Sequence, residues 1–426
     1  MGRLSLAALI VASLANACSS GGGSDGGAPP PAQNLPPVAD AGSNLTADEG
    51  TTVTFDGSAS ADADGSVRTF SWTQVSGTPA RLFETDAATL SFTAPSVSVP
   101  TALGFSLRVT DDAGASASDA VSVTVEPAPL ATAVEVPIAY DGKDRVYTLV
   151  TPTGYAPGGT AVMLLHGGTG SMRQLLEADN TPRRWAELAE LHGFLLIVPN
   201  GFNEDDGDGL GDRQSWNDLR AENNVNLSTE DDVGFLLAVL DDADARADFD
   251  NGRVFVTGSS NGGIMSMTML ILHADRFAGA AAFIAALPEE AIPDPAAPTP
   301  IMLLNGTEDP LILFDGGPVG ANGSPTRSVP ATVAYWEYVN GAVEAAAVDV
   351  SIPENRSDDG CTIFGTAYPD AAGDPAVTFY RAEGGFHSIP DPDPPFRSPA
   401  VEAVVGPSCF EAHGVDLAWS FFQSVE

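Results

Sequence analysis

The chain has 426 residues, 43% of them hydrophobic, and carries a formal net charge of −39 from 57 acidic and 18 basic side chains. This length exceeds one average domain, so we expect two folded domains with ordinary hydrophobic cores. A surface this acidic repels a phosphate backbone, which excludes nucleic acid as a partner.

The first residues have the features of an export signal. Arg3 precedes an apolar stretch over 4–14, and small residues then lead to Cys18. Residues 1–18 resemble a signal peptide that ends in a bacterial lipobox, in which Cys18 is lipidated. A plain secretory signal cut near Cys18 is the alternative. We therefore expect an exported protein, either secreted or an outer-membrane or cell-surface lipoprotein that touches the membrane by its lipid anchor only.

A linker and an all-β domain follow. Residues 19–37 are rich in Gly, Ser and Pro and predict a flexible tether. Residues 38–126 alternate apolar and polar residues between Gly-, Asp- and Pro-rich turns, which predicts a β-sandwich. The predicted strands are 52–55, 67–72, 89–92, 105–109 and 120–125. Phrases such as Phe55-Asp56-Gly57-Ser58 resemble PKD-type immunoglobulin-like modules, in which Trp72 is a core residue.

Strand and helix patterns alternate in the rest of the chain. Residues 127–135 predict a second linker, and residues 136–426 a catalytic domain. Apolar strands are predicted at 161–165, 194–198, 254–257, 301–304 and 377–380, and helices at 185–191, 233–240 and 415–422. Unbroken apolar strands between helices indicate a mostly parallel sheet that is covered on both faces.

A Gly-x-Ser-x-Gly pentapeptide lies between a predicted strand and a predicted helix. It runs Gly258-Ser259-Ser260-Asn261-Gly262, and this context is typical of a nucleophile elbow. The two glycines lack Cβ atoms, so the strand and the helix can approach closely. Ser260 is therefore the candidate nucleophile, beside a helix N-terminus that favours a developing oxyanion.

A serine nucleophile needs a base, and the base needs a carboxylate to orient it. His387 lies in a Gly-rich loop just after a predicted strand, and Asp309 follows another strand. The chain order Ser260, Asp309, His387 is that of α/β-hydrolases. His413, which precedes the last helix, is the rival base.

An oxyanion hole needs two backbone N–H donors. One is expected at Asn261, after the nucleophile, and the other at Gly168 in the loop that follows strand 161–165. His166 in the same loop is interpreted as a buried structural histidine rather than as a catalyst.

Six sequence blocks together carry a family resemblance. The blocks are His166-Gly167-Gly168-Thr169-Gly170-Ser171, Trp216-Asn217, Asp231-Asp232-Val233-Gly234-Phe235-Leu236, Val256-Thr257-Gly258-Ser259-Ser260-Asn261-Gly262-Gly263, Asn305-Gly306-Thr307-Glu308-Asp309-Pro310 and Gly384-Gly385-Phe386-His387. In this order they resemble secreted polyhydroxybutyrate depolymerase-like esterases, a group that includes feruloyl and acetylxylan esterases. The resemblance implies an α/β-hydrolase fold with Ser260 as nucleophile, Asp309 as acid and His387 as base. It also implies that Trp216 lines the substrate cleft, with packing in the core as the alternative.

The chain departs from these relatives at some positions. They often have histidine at Asn305 and an aromatic residue at Ile389, and their cysteine patterns differ. These departures leave the triad intact and leave the substrate open.

The remaining cysteines and one acidic loop complete the candidate sites. Export leaves Cys361 and Cys409 as an even pair, for which we expect one disulfide. The acids of loop 205–212 alternate as in calcium loops but lack the full EF-hand ligand set, so a solvated acidic loop is favoured. We expect no metal and no cofactor.

These features predict an exported serine esterase that works through an acyl-enzyme. The expected substrate is a polyhydroxyalkanoate-type polyester or its oligomers, because a long tether suits an extended ester and the acidic surface repels anionic polymers. A feruloyl or acetylxylan esterase acting on ester-bearing plant polysaccharide is the alternative. A peptidase on the same fold and a non-catalytic surface adhesion lipoprotein are further hypotheses.

Overall fold

The computed structural model describes residues 34–425, apart from 79, 81, 83–84, 96, 98–99, 127–131, 177–180, 221–227, 291, 321–322, 351, 353–358 and 393–398. The export segment 1–18 with Cys18, residues 19–33 of the tether and residues 127–131 of the second linker lie outside the described residues. Within the ranges given, no helix is long and apolar enough to cross a membrane.

The N-terminal domain is a small β-sandwich, as predicted. Its strands are β1 Leu45–Asp48, β2 Thr52–Asp56, β3 Val67–Ser76, β4 Thr89–Thr93, β5 Thr101–Asp111 and β6 Ser116–Glu126. One sheet has the order β1-β6-β5-β3, and β2 pairs with β4. Trp72 is buried between the sheets, where its indole N–H donates to the carbonyl of Ala87 at 3.1 Å. The predicted core role of Trp72 is thus confirmed. Strand β1 was not predicted, because its side chains are mostly exposed and lack apolar alternation.

The C-terminal domain is built on one ten-stranded sheet. Its strands are β7 Thr132–Tyr140, β8 Lys143–Thr151, β9 Ala161–Leu165, β10 Leu195–Pro199, β11 Val254–Ser259, β12 Gly279–Phe283, β13 Ile301–Gly306, β16 Val348–Val350, β17 Thr362–Pro369 and β18 Pro375–Glu383. They are arranged in the order β16-β17-β18-β13-β12-β11-β9-β10-β8-β7. The short strands β14 Gly317–Pro318 and β15 Pro325–Thr326 form a separate pair.

The central six strands, from β10 to β18 in spatial order, are parallel, and the strands at both edges are antiparallel. Alternate side chains of β9 enter two different hydrophobic clusters, because successive residues of a strand point to opposite faces. The helices are α1 Met172–Leu175, α2 Arg184–His192, α3 Asp232–Ala247, α4 Asn261–His273, α5 Val329–Val339, α6 Pro399–Val405 and α7 Gly414–Val425. Helices α3, α4 and α5 cover one face of the sheet, and α1, α2 and α7 cover the other.

The strand order and directions are those of the α/β-hydrolase fold, which confirms the predicted fold class. One boundary differs: β7 begins at Thr132, inside the predicted linker 127–135, and pairs with β8 along the sheet edge. An edge strand exposes most of its side chains, so β7 lacks the continuous apolar run that marked the buried strands.

The C-terminal ends of the parallel strands share one edge of the sheet. Loops that follow β9, β11, β13 and β18 meet there, and they carry the candidate catalytic residues. Ligands of open α/β sheets bind at this edge.

Candidate active site

Ser260 occupies a sharp turn between β11 and α4. Its backbone has φ 56° and ψ −121°, a conformation that a residue with a side chain rarely adopts. The turn depends on its glycines: a Cβ on Gly258 would lie 2.6 Å from backbone atoms of Gly262. A side chain at Gly262 would overlap the carbonyl oxygen of Leu165. The local geometry is therefore that of a nucleophile elbow, which holds Ser260 at the C-terminal end of the central strand.

Asp309 and His387 form a hydrogen-bonded pair at the same edge of the sheet. His387 Nδ1 lies 2.7 Å from Asp309 Oδ2, and both residues are buried. The other oxygen of Asp309 accepts backbone N–H bonds from Leu311 at 2.8 Å and Ile312 at 2.9 Å. Because three donors hold this carboxylate, it can fix the orientation of the imidazole and leave Nε2 for proton transfer.

The nucleophile and the base lie at the same edge of the sheet. Among the hydrogen bonds of the described residues, none joins Ser260 Oγ to His387, whose side chain binds Asp309. Such contacts are often long in unliganded enzymes and tighten when substrate binds.

The rival base, His413, has a different partner. Its Nδ1 lies 3.2 Å from Asp391 Oδ1, just before α7. Burial lowers the pKa of His413, but the Asp391 and Asp416 carboxylates together raise the pKa above the ordinary value. The structure thus pairs His387, not His413, with Asp309.

The loop after β9 lies directly over the elbow. A Cβ on Gly167 would contact Ser260 Cβ at 3.6 Å, and a Cβ on Gly168 would contact Asn261 Cβ at 3.5 Å. The loop closes on itself through a bond of 3.1 Å from the Gly170 N–H to the Gly167 carbonyl. The predicted oxyanion donors, the backbone N–H groups of Asn261 and Gly168, are therefore on adjacent segments beside the nucleophile.

His166 is buried and holds this loop in place. Its Nε2 accepts the Gly201 N–H at 2.9 Å, so the proton lies on Nδ1, which donates to the Gly167 carbonyl at 2.8 Å. Its ring lies against Trp216, with centroids 4.7 Å apart. Burial lowers the pKa of His166 to about 4. This geometry fits the predicted structural role, because neither ring nitrogen is left to catalyse a reaction.

Trp216 is buried under the loop that follows β9 and does not line a cleft in this structure. The side chain is 0% exposed, and its indole N–H donates to the carbonyl of His166 at 2.8 Å. It therefore offers no surface to a substrate, and its prediction as a cleft residue is wrong for this structure. Packing against the β9 loop, the alternative reading, describes its position.

Two charged residues near the elbow were missed by the sequence analysis. The Asp218 carboxylate is fully buried and accepts the side-chain amide of Asn261 at 2.6 Å. The Arg220 guanidinium holds the same carboxylate with three bonds of 2.6–3.0 Å. The sequence signal was faint: opposite charges two positions apart, just after the Trp216-Asn217 block.

The structure contains the predicted disulfide between Cys361 and Cys409, whose Cα atoms are 5.5 Å apart.

The acidic loop 205–212 is held by hydrogen bonds from its own backbone N–H groups to nearby side chains. Asn203 Oδ1 accepts the N–H groups of Asp205 and Asp206, and Asp208 Oδ1 accepts that of Leu210. Across the ranges that the structure covers, no group of three or more His, Cys, Asp or Glu side chains could hold a metal ion.

Comparison with known proteins covers both domains. Residues 41–125 match a family model of the PKD domain. Over 304 residues the chain is 29% identical to the candidate esterase NocK of Nocardia uniformis subsp. tsuyamanensis, a match that spans 68% of this chain and 82% of NocK. These matches confirm the predicted resemblance, in which a PKD module precedes an esterase-like domain.

Two solved structures are also similar. An acetyl xylan esterase from Aspergillus awamori aligns with a TM-score of 0.41 and 14% identity over 64% of this chain and 98% of that protein. A thermostable esterase aligns with a TM-score of 0.36 and 13% identity over 68% of this chain and 79% of that protein. Both scores are low, so the fold assignment depends on the strand order and not on these superpositions.

Proposed function

We propose that the C-terminal domain is a serine esterase that hydrolyses carboxylic esters through an acyl-enzyme. The observation that carries the proposal is the His387–Asp309 pair, whose carboxylate is held by two further backbone bonds at the sheet edge that bears Ser260. The match to the candidate esterase NocK supports ester hydrolysis.

Each residue has one role in the proposed reaction. His387 Nε2 takes the proton of Ser260 Oγ as the oxygen attacks the ester carbonyl. The N–H groups of Asn261 and Gly168 stabilise the oxyanion. His387 then protonates the leaving alcohol. It next activates a water that releases the acid, while Asp309 keeps the ring oriented.

Two variants and one control test the triad. Ser260→Ala and His387→Ala should lower kcat on p-nitrophenyl butyrate by at least about 10³-fold, because serine hydrolases lose most of their rate without either residue. His413→Ala is the matched control and should keep kcat within a few fold. A fluorophosphonate probe should label the wild-type protein but not Ser260→Ala. Failure of the wild type to label would favour the non-catalytic adhesion alternative.

For the substrate, we propose polyhydroxyalkanoate-type polyesters or their oligomers, with feruloyl or acetylxylan esters as the second candidate. The net charge of −39 favours a neutral polymer over an anionic one, since like charges repel at low salt. Specificity constants for 3-hydroxybutyrate oligomers, methyl ferulate and acetylated xylan would rank the candidates. Turnover of ferulate without turnover of the oligomers would reverse the ranking. Turnover of a matched peptide amide instead of these esters would favour a peptidase.

We also propose that the protein is exported and that Cys18 is lipidated. The supporting observation is the sequence pattern of residues 1–18. Metabolic labelling with a fatty-acid analogue should mark the wild-type protein, whereas Cys18→Ala should be unlabelled and released from the membrane fraction. Equal release of both proteins would favour the plain secretory signal.

A further inference from the structure

The loop that carries His387 lies between two chain segments: the first contains Gly360 and Cys361, and the second runs from Val405 to His413. On one side, a side chain at Gly384 would overlap the carbonyl oxygen of Gly360, so the loop lies directly on that segment. On the other side, the His387 N–H donates to the carbonyl of Val405 at 2.9 Å. The contact continues along this second segment, where the ring of Phe386 leaves no room for a side chain at Gly406.

The Cys361–Cys409 disulfide joins these same two segments. Both cysteines are buried. Asp391, which is four residues after His387, donates its backbone N–H to the carbonyl of Cys409 at 2.9 Å. The Asp359 carboxylate forms a second bridge: it accepts the N–H of Cys361 at 3.0 Å and that of Phe410 at 2.8 Å. The two enclosing segments are thus linked covalently and by one shared carboxylate.

The second segment has little regular structure of its own. Residues 406–413 lie between α6 and α7 without a helix or strand, so the sheet does not hold them by ladder hydrogen bonds. Their attachments include bonds to the His387 loop and to Asp359, the His413–Asp391 contact, packing of Ala412 against the hydrophobic core, and the disulfide. Without the covalent link, this segment would keep that packing and individual hydrogen bonds, which contribute about 1 kcal/mol each.

We infer that the Cys361–Cys409 disulfide, helped by Asp359, is a positioning element for the base His387. The inference rests on the proposed esterase function. Reduction by a dithiol converts the disulfide into two thiols while the dithiol becomes a cyclic disulfide, so electrons and protons balance. The freed segment would then let the His387 loop shift relative to Ser260. A displacement of about 1 Å of a catalytic group can cost about 10²-fold in rate.

The test compares the full-length protein before and after reduction with dithiothreitol. We expect kcat on p-nitrophenyl butyrate to fall by about tenfold to a hundredfold with KM within about twofold, since binding does not require the base. The rate of fluorophosphonate labelling should fall in parallel. The double variant Cys361→Ala/Cys409→Ala should match the reduced wild type and should not respond to dithiothreitol. Asp359→Asn should lower kcat less, because one acceptor oxygen remains.

Near- and far-UV circular dichroism distinguishes positioning from unfolding. A lower kcat with a native spectrum supports the inference. An unchanged kcat, with mass spectrometry showing both thiols free, overturns it, and so does a loss of activity that occurs only together with loss of the native spectrum. An inactive wild type would instead contradict the proposed function, so the two failures are distinguishable.

Discussion

The side chain of Asn261 binds both backbone polar groups of Trp216. Its Oδ1 accepts the Trp216 N–H at 2.8 Å, and its Nδ2 donates to the Trp216 carbonyl at 3.1 Å. The same Trp216 indole donates to the carbonyl of His166. One buried network therefore links the two segments that supply the oxyanion N–H donors, so the first turn of α4 and the β9 loop are held relative to each other.

Replacing Asn261 by alanine should impair both stability and rate. The change leaves the backbone groups of Trp216 unpaired in the core, which should lower the free energy of unfolding by about 2–4 kcal/mol. It should also lower kcat, because the first turn of α4 loses its fixed position. Urea denaturation and ester kinetics measure the two effects.

Asn340 provides the matched control. It makes the same pair of bonds to Thr299, at 2.8 Å each, far along the chain from the elbow. Asn340→Ala should therefore lower stability by a similar amount and leave kcat of the folded protein unchanged. Equal loss of kcat in both variants would contradict the proposed link between Asn261 and the oxyanion hole.

The Arg220 guanidinium should be needed to neutralise Asp218. In Arg220→Gln the buried carboxylate keeps its charge beside the oxyanion hole, where it opposes the negative transition state. We expect kcat to fall by about tenfold or more. Adding Asp218→Asn removes the charge and should restore part of the rate. If the double variant is slower than Arg220→Gln alone, the pair acts by packing and not by charge.

His166 should make the protein less stable in acid. Its pKa is about 4 in the folded state, below the ordinary value of 6.5, because burial disfavours the charged ring. Between these pH values the unfolded chain binds the proton and the folded chain does not. The stabilisation from neutral His166 is therefore complete above pH 6.5 and is lost as the pH falls toward 4.

His166→Asn tests this assignment. Each pKa unit corresponds to about 1.4 kcal/mol, so the wild type should lose a few kcal/mol over this interval through His166. The variant should be less stable at pH 7, with a smaller loss on acidification. Urea denaturation at pH 7 and pH 5 gives the comparison, and parallel pH curves for the two proteins would show that His166 is not the group responsible.

Salt should stabilise the protein. With a net charge of −39, the folded state suffers repulsion between acidic side chains, and dissolved ions screen it. We expect Tm to rise as NaCl increases from about 0.05 M to about 1 M, because the Debye length falls to about 3 Å at 1 M. A flat or falling Tm would mean that the ion pairs lost to screening outweigh the repulsion removed.

Much of the molecule follows from local sequence. The buried parallel strands are continuous apolar runs, and the elbow has glycines where backbone atoms must approach closely. Ser260, Asp309 and His387 each follow a predicted strand, so the sequence already placed them at the same edge of a parallel sheet. The edge strands β7 and β16 were harder to predict, because exposed positions need not alternate apolar and polar residues. The apolar runs and the glycine positions can be predicted because each depends on residues that are close together in the chain.

Only the tertiary structure decided which distant side chains meet. The residues that flank Trp216 in the chain do not show whether it lines a cleft or packs under a loop. Its burial depends on contacts with His166 and Asn261, which are about 50 positions away. The histidine that pairs with Asp309 and the segments that the disulfide joins depend likewise on the sheet order. Local patterns determine strands, turns and chain order, whereas burial and partnership come from packing between elements far apart in sequence.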